Sequence, residues 1–388
     1  MRRKLLILVW NVSILGSLAT VYQMVALLFT HWLFDRDYSQ TYLMGRALRA
    51  GVYIYEPIPE LAKRFEPTLG NFLQHPSAYP PIVALIGVPL SMLPYFWSVV
   101  IWSLWELGCL FVATLLIFRH FGGRRASTPV LITLGVFLAW QPIMMDLFRG
   151  QVMLTILLLL TLTWLAFRSN QDVRAGIFLG LSLSLKFYGW PILLLFLLKR
   201  RWKAALAGAT VVTSCNLLMA VWLGMDVLRD YFLNVAPGIA QLWIPNVYNF
   251  SVLSFGYRLL GEPGRISFLI VTLCICMLAT FKARDLDHSF MVMLAASTIL
   301  APISWIHYFV TLLPALCLVA SREEFAPSEA LLGLLIAVIL FLGYIPLEKS
   351  AIWGTLPLFG LTGLIWLLQK PPVRSVRTQF DDAICEAA

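Results

Sequence analysis

Long runs without a charged residue recur along the whole chain, separated by short polar segments. The uncharged runs are Leu5–Phe34, Ala126–Met145, Gly150–Phe167, Ala204–Met225, Ile266–Phe281, Ser289–Ser321, Ala330–Leu347 and Ser350–Gln369. Pro80–Phe118 and Ala175–Leu198 continue the series with one ionisable residue each, Glu106 and Lys186. Lipid requires a spanning segment to satisfy its backbone hydrogen bonds internally, as a helix does. The pattern therefore predicts an all-α polytopic integral membrane protein with about 11–13 transmembrane helices, allowing about 20 residues for each.

Three of these segments are too short for a full span or are broken by Pro and Gly. They are Pro80–Pro94, Ala175–Lys186 and Ser289–Ala301. Discontinuous helices of this kind line the substrate cavities of many transporters. We therefore expect half-helices that border a cavity.

Composition excludes the soluble classes of protein. Of the 388 residues, 60% are hydrophobic and 13% are charged, whereas a soluble domain has about 45–50% and about 25%. These values exclude a soluble globular domain, a disordered chain and a small disulfide scaffold. The net charge of +9 lies mostly in short loops and at the two ends. This distribution favours membrane topology and anionic lipid over a nucleic-acid partner.

Lysine and arginine clusters predict the orientation of the chain, because cytoplasmic loops carry an excess of both residues. Clusters lie at Arg119–Arg125, Lys199–Lys203, Lys282–Arg284 and Lys370–Arg377. Placing all of them inside makes Pro80–Pro94 an incomplete crossing or joins it to the next helix; the alternative places Arg119–Arg125 outside. In the preferred arrangement residues 1–370 form one transmembrane domain with outer loops at 35–78 and 226–265, followed by a cytoplasmic tail.

The first outer loop contains an amphipathic pattern. Leu43, Met44, Ala47 and Leu48 form one apolar stripe, with two arginines off it and a glycine that would end the helix. We expect this helix to lie on the outer leaflet.

Several polar residues that topology does not require fall on the same predicted membrane face. They are Asp37, Arg149, Gln151, Lys186, Asn249 and His307. Ionisable groups at membrane depth are costly and usually belong to a site or a pathway. Each also has a structural alternative: Asp37 starting a helix, Arg149 neutralising Asp146, Lys186 extending to the interface, and His307 packing in the interior.

Short motifs run in order through most of the chain and resemble one family of membrane enzymes. They are Asp37-Tyr38 with Tyr42 and Arg46-Ala47-Leu48, Tyr79-Pro80-Pro81, Gly150-Gln151, Gly176 with Gly180 and Lys186, Lys199-Arg200-Arg201-Trp202, Asn249 with Ser251, and Pro302 with Ser304-Trp305 and His307. In this order they resemble glycosyltransferase family 87, which has a GT-C type fold. Thr41 and the Phe187-Tyr188 pair after Lys186 depart from the family pattern and leave the donor sugar open.

This resemblance implies a GT-C-like helical bundle that uses a polyprenyl-phosphate sugar donor. Mannose is the expected sugar, with arabinofuranose as the alternative, and the acceptor is a glycolipid or polysaccharide. It further implies a plasma (inner) membrane protein whose active site faces outward, with no cofactor and no metal. Asp35 and Asp37 are the acidic pair that would hold a divalent cation if one were used.

Glycosyl transfer to an alcohol needs a base for the acceptor proton and positive groups for the departing phosphate. An inverting reaction needs only one carboxylate, in contrast to hydrolysis by two. We assign the base to Asp37. The assigned phosphate ligands are His307, Lys186 and Arg149, the sugar and acceptor hydroxyl ligands are Gln151 and Asn249, and the residues expected to stack on a sugar ring are Tyr42 and Trp305.

Two other functions share part of this pattern. A secondary transporter has broken helices and buried charges, but the two halves of the chain show no convincing match to each other. A lipid-linked glycan polymerase or flippase needs a lipid groove but no single carboxylate base.

Overall fold

The structure is a computed structural model that describes residues 36–69, 73–122, 140–321 and 356–369, with isolated positions between 18 and 34 and at 333 and 335. All regular elements within these residues are helices, which confirms the predicted all-α class. The predicted runs Leu5–Phe34 and Ala330–Leu347 lie almost entirely outside the described residues, and the tail 371–388 lies wholly outside them.

The described residues form fifteen α-helices. In chain order they are α1 (Tyr38–Arg49), α2 (Ile58–Phe65), α3 (Val83–Leu90), α4 (Tyr95–Gly122), α5 (Gln141–Arg149), α6 (Met153–Arg168), α7 (Asp172–Leu185), α8 (Trp190–Leu198), α9 (Trp202–Leu223), α10 (Met225–Asp230), α11 (Ala236–Trp243), α12 (Val252–Lys282), α13 (Leu286–Leu300), α14 (Leu313–Ala320) and α15 (Leu356–Gln369). A π-helical turn at Tyr231–Val235 joins α10 to α11, and a 3-10 helix at Ile306–Leu312 precedes α14.

Three helices in the described ranges are long and apolar enough to cross a bilayer. They are α4, α9 and α12, whose most apolar windows have mean hydropathy of 2.0, 1.7 and 2.0. Four shorter apolar helices accompany them. The segments predicted to be short are short, because α3, α7 and α13 have 8, 14 and 15 residues. These features confirm a helical membrane protein.

The α12 segment is two helical arms joined at a sharp bend. Gly261 adopts φ 68° and ψ −153°, which lies outside helical geometry and in a region open only to glycine. The arms fold back on each other where Gly256 meets Gly264, and a Cβ on Gly256 would lie 2.5 Å from the Gly264 carbonyl oxygen. The second arm alone therefore supplies the span.

Glycines also bring α7 and α9 into backbone contact. A Cβ at Gly176 would clash with the Ala204 carbonyl oxygen, and a Cβ at Gly180 would lie 2.7 Å from the Gly208 carbonyl oxygen. Gly176 and Gly180 are four residues apart and so share one helix face. Small residues at this spacing let transmembrane helices approach closely, which matters because lipid removes the hydrophobic drive for association.

The amphipathic helix predicted in the first outer loop forms as α1, but its apolar stripe does not face lipid. Leu43, Met44, Ala47 and Leu48 are buried against protein. The α3 helix packs directly on α1, and a Cβ on Gly45 would clash with the backbone of Gly87. The predicted surface location was wrong because α3 covers the stripe. The chain leaves α1 through Gly51, at φ 65°, as predicted.

Asn249 fastens the second outer loop to the turn before the 3-10 helix. Its side-chain nitrogen donates to the carbonyl oxygens of Trp243, at 3.2 Å, and Pro302, at 3.0 Å. Its side-chain oxygen accepts from the amides of Ser251, at 3.1 Å, and Ser304, at 2.9 Å. The side chain is fully buried, and these four bonds use the whole hydrogen-bonding capacity of the amide.

Gly176→Ala should destabilise the purified protein by about 1–3 kcal/mol, because the added methyl group overpacks the α7–α9 contact. Gly108→Ala is the matched control, since a Cβ there meets nothing within 4 Å. Thermal unfolding in detergent checks the pair. Equal unfolding temperatures for the two variants would contradict the backbone contact.

Asn249→Ala should lower the free energy of unfolding by at least about 2 kcal/mol, because it leaves buried backbone groups without partners. The control is Asn234→Ala, at an exposed position, where a change within about 0.5 kcal/mol is expected. Thermal unfolding again measures the effect. An Asn249→Ala protein of unchanged stability that bound acceptor less well would instead support sugar binding.

Candidate active site

A tight turn between α5 and α6 presents Gln151 to the outer loop. The α5 helix ends at Gly150, which has φ 65° and ψ 42°. A Cβ at Gly150 would lie 2.7 Å from the Tyr38 Cβ atom, and the Gly150 carbonyl oxygen accepts from Trp102 Nε1 at 3.0 Å. Glycine is required here by both the left-handed conformation and the close approach. The turn is thereby fixed against α1 and α4.

Asp37 immediately precedes α1, yet its carboxylate does not cap that helix. It accepts a hydrogen bond from Gln151 Nε2, with 2.5 Å between the nitrogen and Oδ2. An acidic residue at this position ordinarily accepts from the first amides of the helix. The structural alternative for Asp37, that it merely starts a helix, therefore does not describe its side chain.

Gln151 also links the carboxylate to a cation. Its Oε1 atom accepts from the Tyr79 hydroxyl at 2.9 Å and from Lys186 Nζ at 3.2 Å. Tyr79 lies between α2 and α3, Gln151 lies between α5 and α6, and Lys186 follows the end of α7. Three parts of the chain that are distant in sequence thus meet at one amide group.

Lys186 points into the interior between two tyrosine rings. Its ammonium nitrogen lies 4.3 Å from the ring centroid of Tyr308 and 5.5 Å from that of Tyr79. Aromatic faces attract a cation without neutralising it. Within the described ranges Lys186 belongs to no ion pair, so its charge is available to an anionic ligand.

His307 and Arg149 lie close to Lys186. The His307 ring is almost fully buried, and its Nε2 atom has no hydrogen-bond partner among the described residues. The charges of Lys186 and Arg149 both act on this ring. An imidazole nitrogen that is buried without a partner is costly, and a bound phosphate would satisfy it.

Burial raises the pKa of the Asp37 carboxyl above its usual value. The charge of Arg149 and the hydrogen bond from Gln151 act against that rise, followed by the charges of Lys186 and His75. A carboxylate with a raised pKa is a better proton acceptor near neutral pH. The electrostatic setting of Asp37 therefore suits a general base.

The structure brings together five residues that the sequence singled out, namely Asp37, Arg149, Gln151, Lys186 and His307. Sequence reasoning missed the parts played by Tyr79, Tyr308 and His75. Tyr79 stood out only within the motif Tyr79-Pro80-Pro81, and Tyr308 was not singled out although it directly follows His307. A tyrosine next to a candidate cation is the signal that was available.

Two residues predicted to bind sugar are used inside the protein instead. The Tyr42 side chain is fully buried, donates to the Leu93 carbonyl oxygen at 3.0 Å and accepts from Arg46 at 2.8 Å. Its ring packs edge-on against Tyr95, so neither face is open to a sugar. The Asn249 amide is fully used by its four hydrogen bonds to backbone groups of the second outer loop and of the turn before the 3-10 helix. The structure gives no support for sugar binding by either residue.

Trp305 remains a candidate for contact with a sugar ring. It is partly exposed and packs edge-on against Trp243, with ring centroids 5.2 Å apart. Trp243 in turn lies edge-on to His75 at 5.9 Å, and the charge of His75 reaches Asp37. An aromatic wall thus runs from the second outer loop toward the carboxylate, and Trp243 is a member that the sequence did not reveal.

Two other buried carboxylates have structural partners. Asp146 Oδ1 accepts the Met153 amide at 3.2 Å, at the start of α6. Glu106 accepts from the amide of Thr155 at 3.0 Å and from the Thr155 hydroxyl. Asp35, the other member of the predicted acidic pair, lies outside the described residues, so a metal role for that pair remains untested.

Curated relatives of this chain are mycobacterial mannosyltransferases. It is 24% identical over 304 residues to a polyprenol-phosphate-mannose-dependent alpha-(1-2)-phosphatidylinositol pentamannoside mannosyltransferase of Mycobacterium tuberculosis, covering 76% of this chain and 65% of the relative. The protein of the same description from Mycolicibacterium smegmatis is 25% identical over 76% of this chain and 68% of its own length. A third relative, a polyprenol-phosphate-mannose-dependent alpha-(1-2)-phosphatidylinositol mannoside mannosyltransferase of M. tuberculosis, is 24% identical over 85% of this chain and 80% of its own length.

No solved structure matches the chain significantly. The family model described as glycosyltransferase family 87 matches residues 78–288, which is more than half of the chain. Arg149, Gln151 and Lys186 lie within the matched residues, whereas Asp37 and His307 lie on either side of them. Because the family model matches more than half of the chain, the chain belongs to glycosyltransferase family 87.

Proposed function

We propose that this protein transfers mannose from a polyprenyl-phosphate donor to a hydroxyl group of a glycolipid acceptor at the outer face of the plasma membrane. The observation that carries the proposal is that the Asp37 carboxylate lies near the cations of Lys186 and Arg149, which in turn lie near His307. The Nε2 atom of His307 has no hydrogen-bond partner among the described residues. Family membership supports a glycosyl transfer. The names of the relatives support mannose as the sugar and a phosphatidylinositol mannoside as the acceptor class.

In the proposed reaction the acceptor hydroxyl oxygen attacks the anomeric carbon of mannose. The bond between that carbon and the donor phosphate oxygen breaks, its electron pair leaves with polyprenyl phosphate, and the hydroxyl proton passes to Asp37. Attack opposite the leaving group inverts the anomeric carbon. The phosphate needs no protonation, and for this reason one carboxylate is enough.

Lys186 and His307 stabilise the charge that grows on the departing phosphate, with Arg149 as a further positive group. Donors that are fixed in place before the reaction stabilise such charge at little reorganisation cost. The tyrosine rings around Lys186 support its charge without cancelling it. Trp305 and Trp243 provide an apolar wall on which a sugar ring of donor or acceptor can rest.

The proposal is tested by incubating the purified protein with radiolabelled polyprenyl-phosphate mannose and a phosphatidylinositol mannoside in detergent. A new labelled glycolipid is expected. A transporter or flippase makes no new glycolipid, because it moves its substrate without breaking or forming a covalent bond. Intact donor after prolonged incubation with several acceptors would overturn the proposal.

Asp37→Asn should lower kcat by about 10²–10⁴-fold, which is the usual contribution of a general base. The matched control is Asp226→Asn, an exposed aspartate of the second outer loop, whose turnover should equal that of the wild type. Steady-state kinetics with the labelled donor measure both variants. Full turnover by Asp37→Asn would remove Asp37 from the role of base.

His307→Ala should lower kcat/KM for the donor by about 10²-fold, by analogy with the loss of one oxyanion donor. His288→Ala is the control, since His288 is also buried but binds Asp285 at 2.8 Å, away from the site. Rates are compared per mole of folded protein. Equal kinetics for the two histidine variants would show that His307 does not contact the donor.

A further inference from the structure

The Gln151 amide has opposite charges at its two ends. Its nitrogen donates to the Asp37 carboxylate, and its oxygen accepts from the Lys186 ammonium. An ammonium group can only donate hydrogen bonds and a carboxylate can only accept them. The orientation of the amide is therefore determined by its partners, and a flipped amide would face both groups with the wrong atom.

The amide also separates two groups that attract each other. Among the described residues Asp37 belongs to no ion pair, although the charge of Lys186 reaches it. Opposite charges in a buried site attract far more strongly than in water. Without the intervening amide, we expect the flexible lysine side chain to move onto the carboxylate.

Direct pairing would harm both partners in glycosyl transfer. A carboxylate in contact with an ammonium group holds its proton less tightly, because the opposite charge favours the ionised form. Asp37 would then be a weaker base. The carboxylate would neutralise the ammonium charge, which would then no longer be available to the donor phosphate.

We propose that Gln151 is a positioning residue that keeps Asp37 and Lys186 apart and so preserves the base and the phosphate ligand as separate groups. The inference rests on the proposed function. It replaces the sequence-based expectation that Gln151 binds a sugar hydroxyl, since its oxygen already accepts two hydrogen bonds and its nitrogen holds the carboxylate.

The same bond selects the oxygen that takes the acceptor proton. Oδ2 of Asp37 is occupied by Gln151, and within the described residues Oδ1 receives no side-chain hydrogen bond and does not cap α1. Oδ1 is therefore the atom that accepts the proton. The Tyr79 hydroxyl, bonded to the same amide oxygen, restrains the whole arrangement.

Two substitutions separate this role from simple packing by shifting the pH dependence in opposite directions. The activity of a general base rises with pH through its pKa. Gln151→Leu should let Lys186 pair with Asp37 and move the acid limb of kcat/KM to lower pH by about one unit or more, with a raised KM for the donor. Gln151→Glu adds negative charge beside Asp37 and should move the same limb to higher pH.

Several other groups interact electrostatically with Asp37 and therefore also influence the pH dependence of kcat/KM. They are Arg149 of α5, Lys186 after α7, His75 and Tyr79 of the segment between α2 and α3, Tyr95 of α4 and Tyr308 of the 3-10 helix. The double variant Gln151→Leu with Lys186→Met isolates the lysine. Its acid limb should return to the wild-type position or above it, since no ammonium remains to pair with Asp37.

Gln241→Leu, at an exposed position in α11, is the control and should keep the wild-type profile and rate. Acid limbs of Gln151→Leu and Gln151→Glu that coincide with the wild-type limb would overturn the proposal, even if both variants were slower.

A structure of Gln151→Leu gives a readout that does not depend on turnover. Lys186 Nζ is expected within 4 Å of an Asp37 oxygen, and a lysine that stays over the Tyr308 ring would overturn the proposal. A wild-type protein that makes no glycolipid while its Gln151→Leu structure shows the new ion pair would contradict the proposed function but not the separation of the two charges.

Discussion

Opposite charges that lie close together inside a protein tend to form an ion pair, and the proposed site depends on keeping two such charges apart. Asp37 and Lys186 lie at the two ends of the Gln151 amide, whose oxygen and nitrogen match the hydrogen-bonding character of each. The arrangement persists only while Gln151 is held in place, and the left-handed Gly150 turn against Tyr38 provides that support. Asp37, Lys186 and Gln151, the proposed base, phosphate ligand and spacer, therefore form one unit whose members come from three distant parts of the chain.

The scaffold around this unit is rigid because helices approach each other at glycine. Backbone contacts join α1 to α3 at Gly45 and Gly87, α7 to α9 at Gly176, and the two arms of α12 at Gly256 and Gly264. In a membrane such contacts replace the hydrophobic drive that packs soluble helices. The first two also position the site, because Asp37 immediately precedes α1 and Lys186 follows α7.

Much of this architecture was predictable from the sequence. Uncharged runs predicted helices, Pro and Gly predicted the short segments, and polar residues that topology does not require identified Asp37, Gln151 and Lys186. The surface against which each helix packs was harder to predict. The α1 stripe is apolar whether lipid or α3 covers it, so its pattern alone could not distinguish a surface helix from a buried one.

Polar side chains presented the same difficulty. The residue type of a tyrosine or asparagine beside a candidate site does not show whether the side chain binds ligand or makes hydrogen bonds within a loop. The Asn249 amide makes hydrogen bonds to four backbone groups, and the Tyr42 ring packs on Tyr95. Such roles depend on backbone groups brought together by the fold, which leave no periodic signal in the sequence.

A structure of the protein with a non-transferable polyprenyl-phosphonate mannose analogue tests the central claim most directly. We expect phosphonate oxygens within hydrogen-bonding distance of Lys186 and His307, with the anomeric carbon facing the space beside Asp37 Oδ1 and Gln151 still between the carboxylate and the ammonium. A phosphonate bound away from both Lys186 and His307, or a sugar remote from Asp37, would contradict the proposed site.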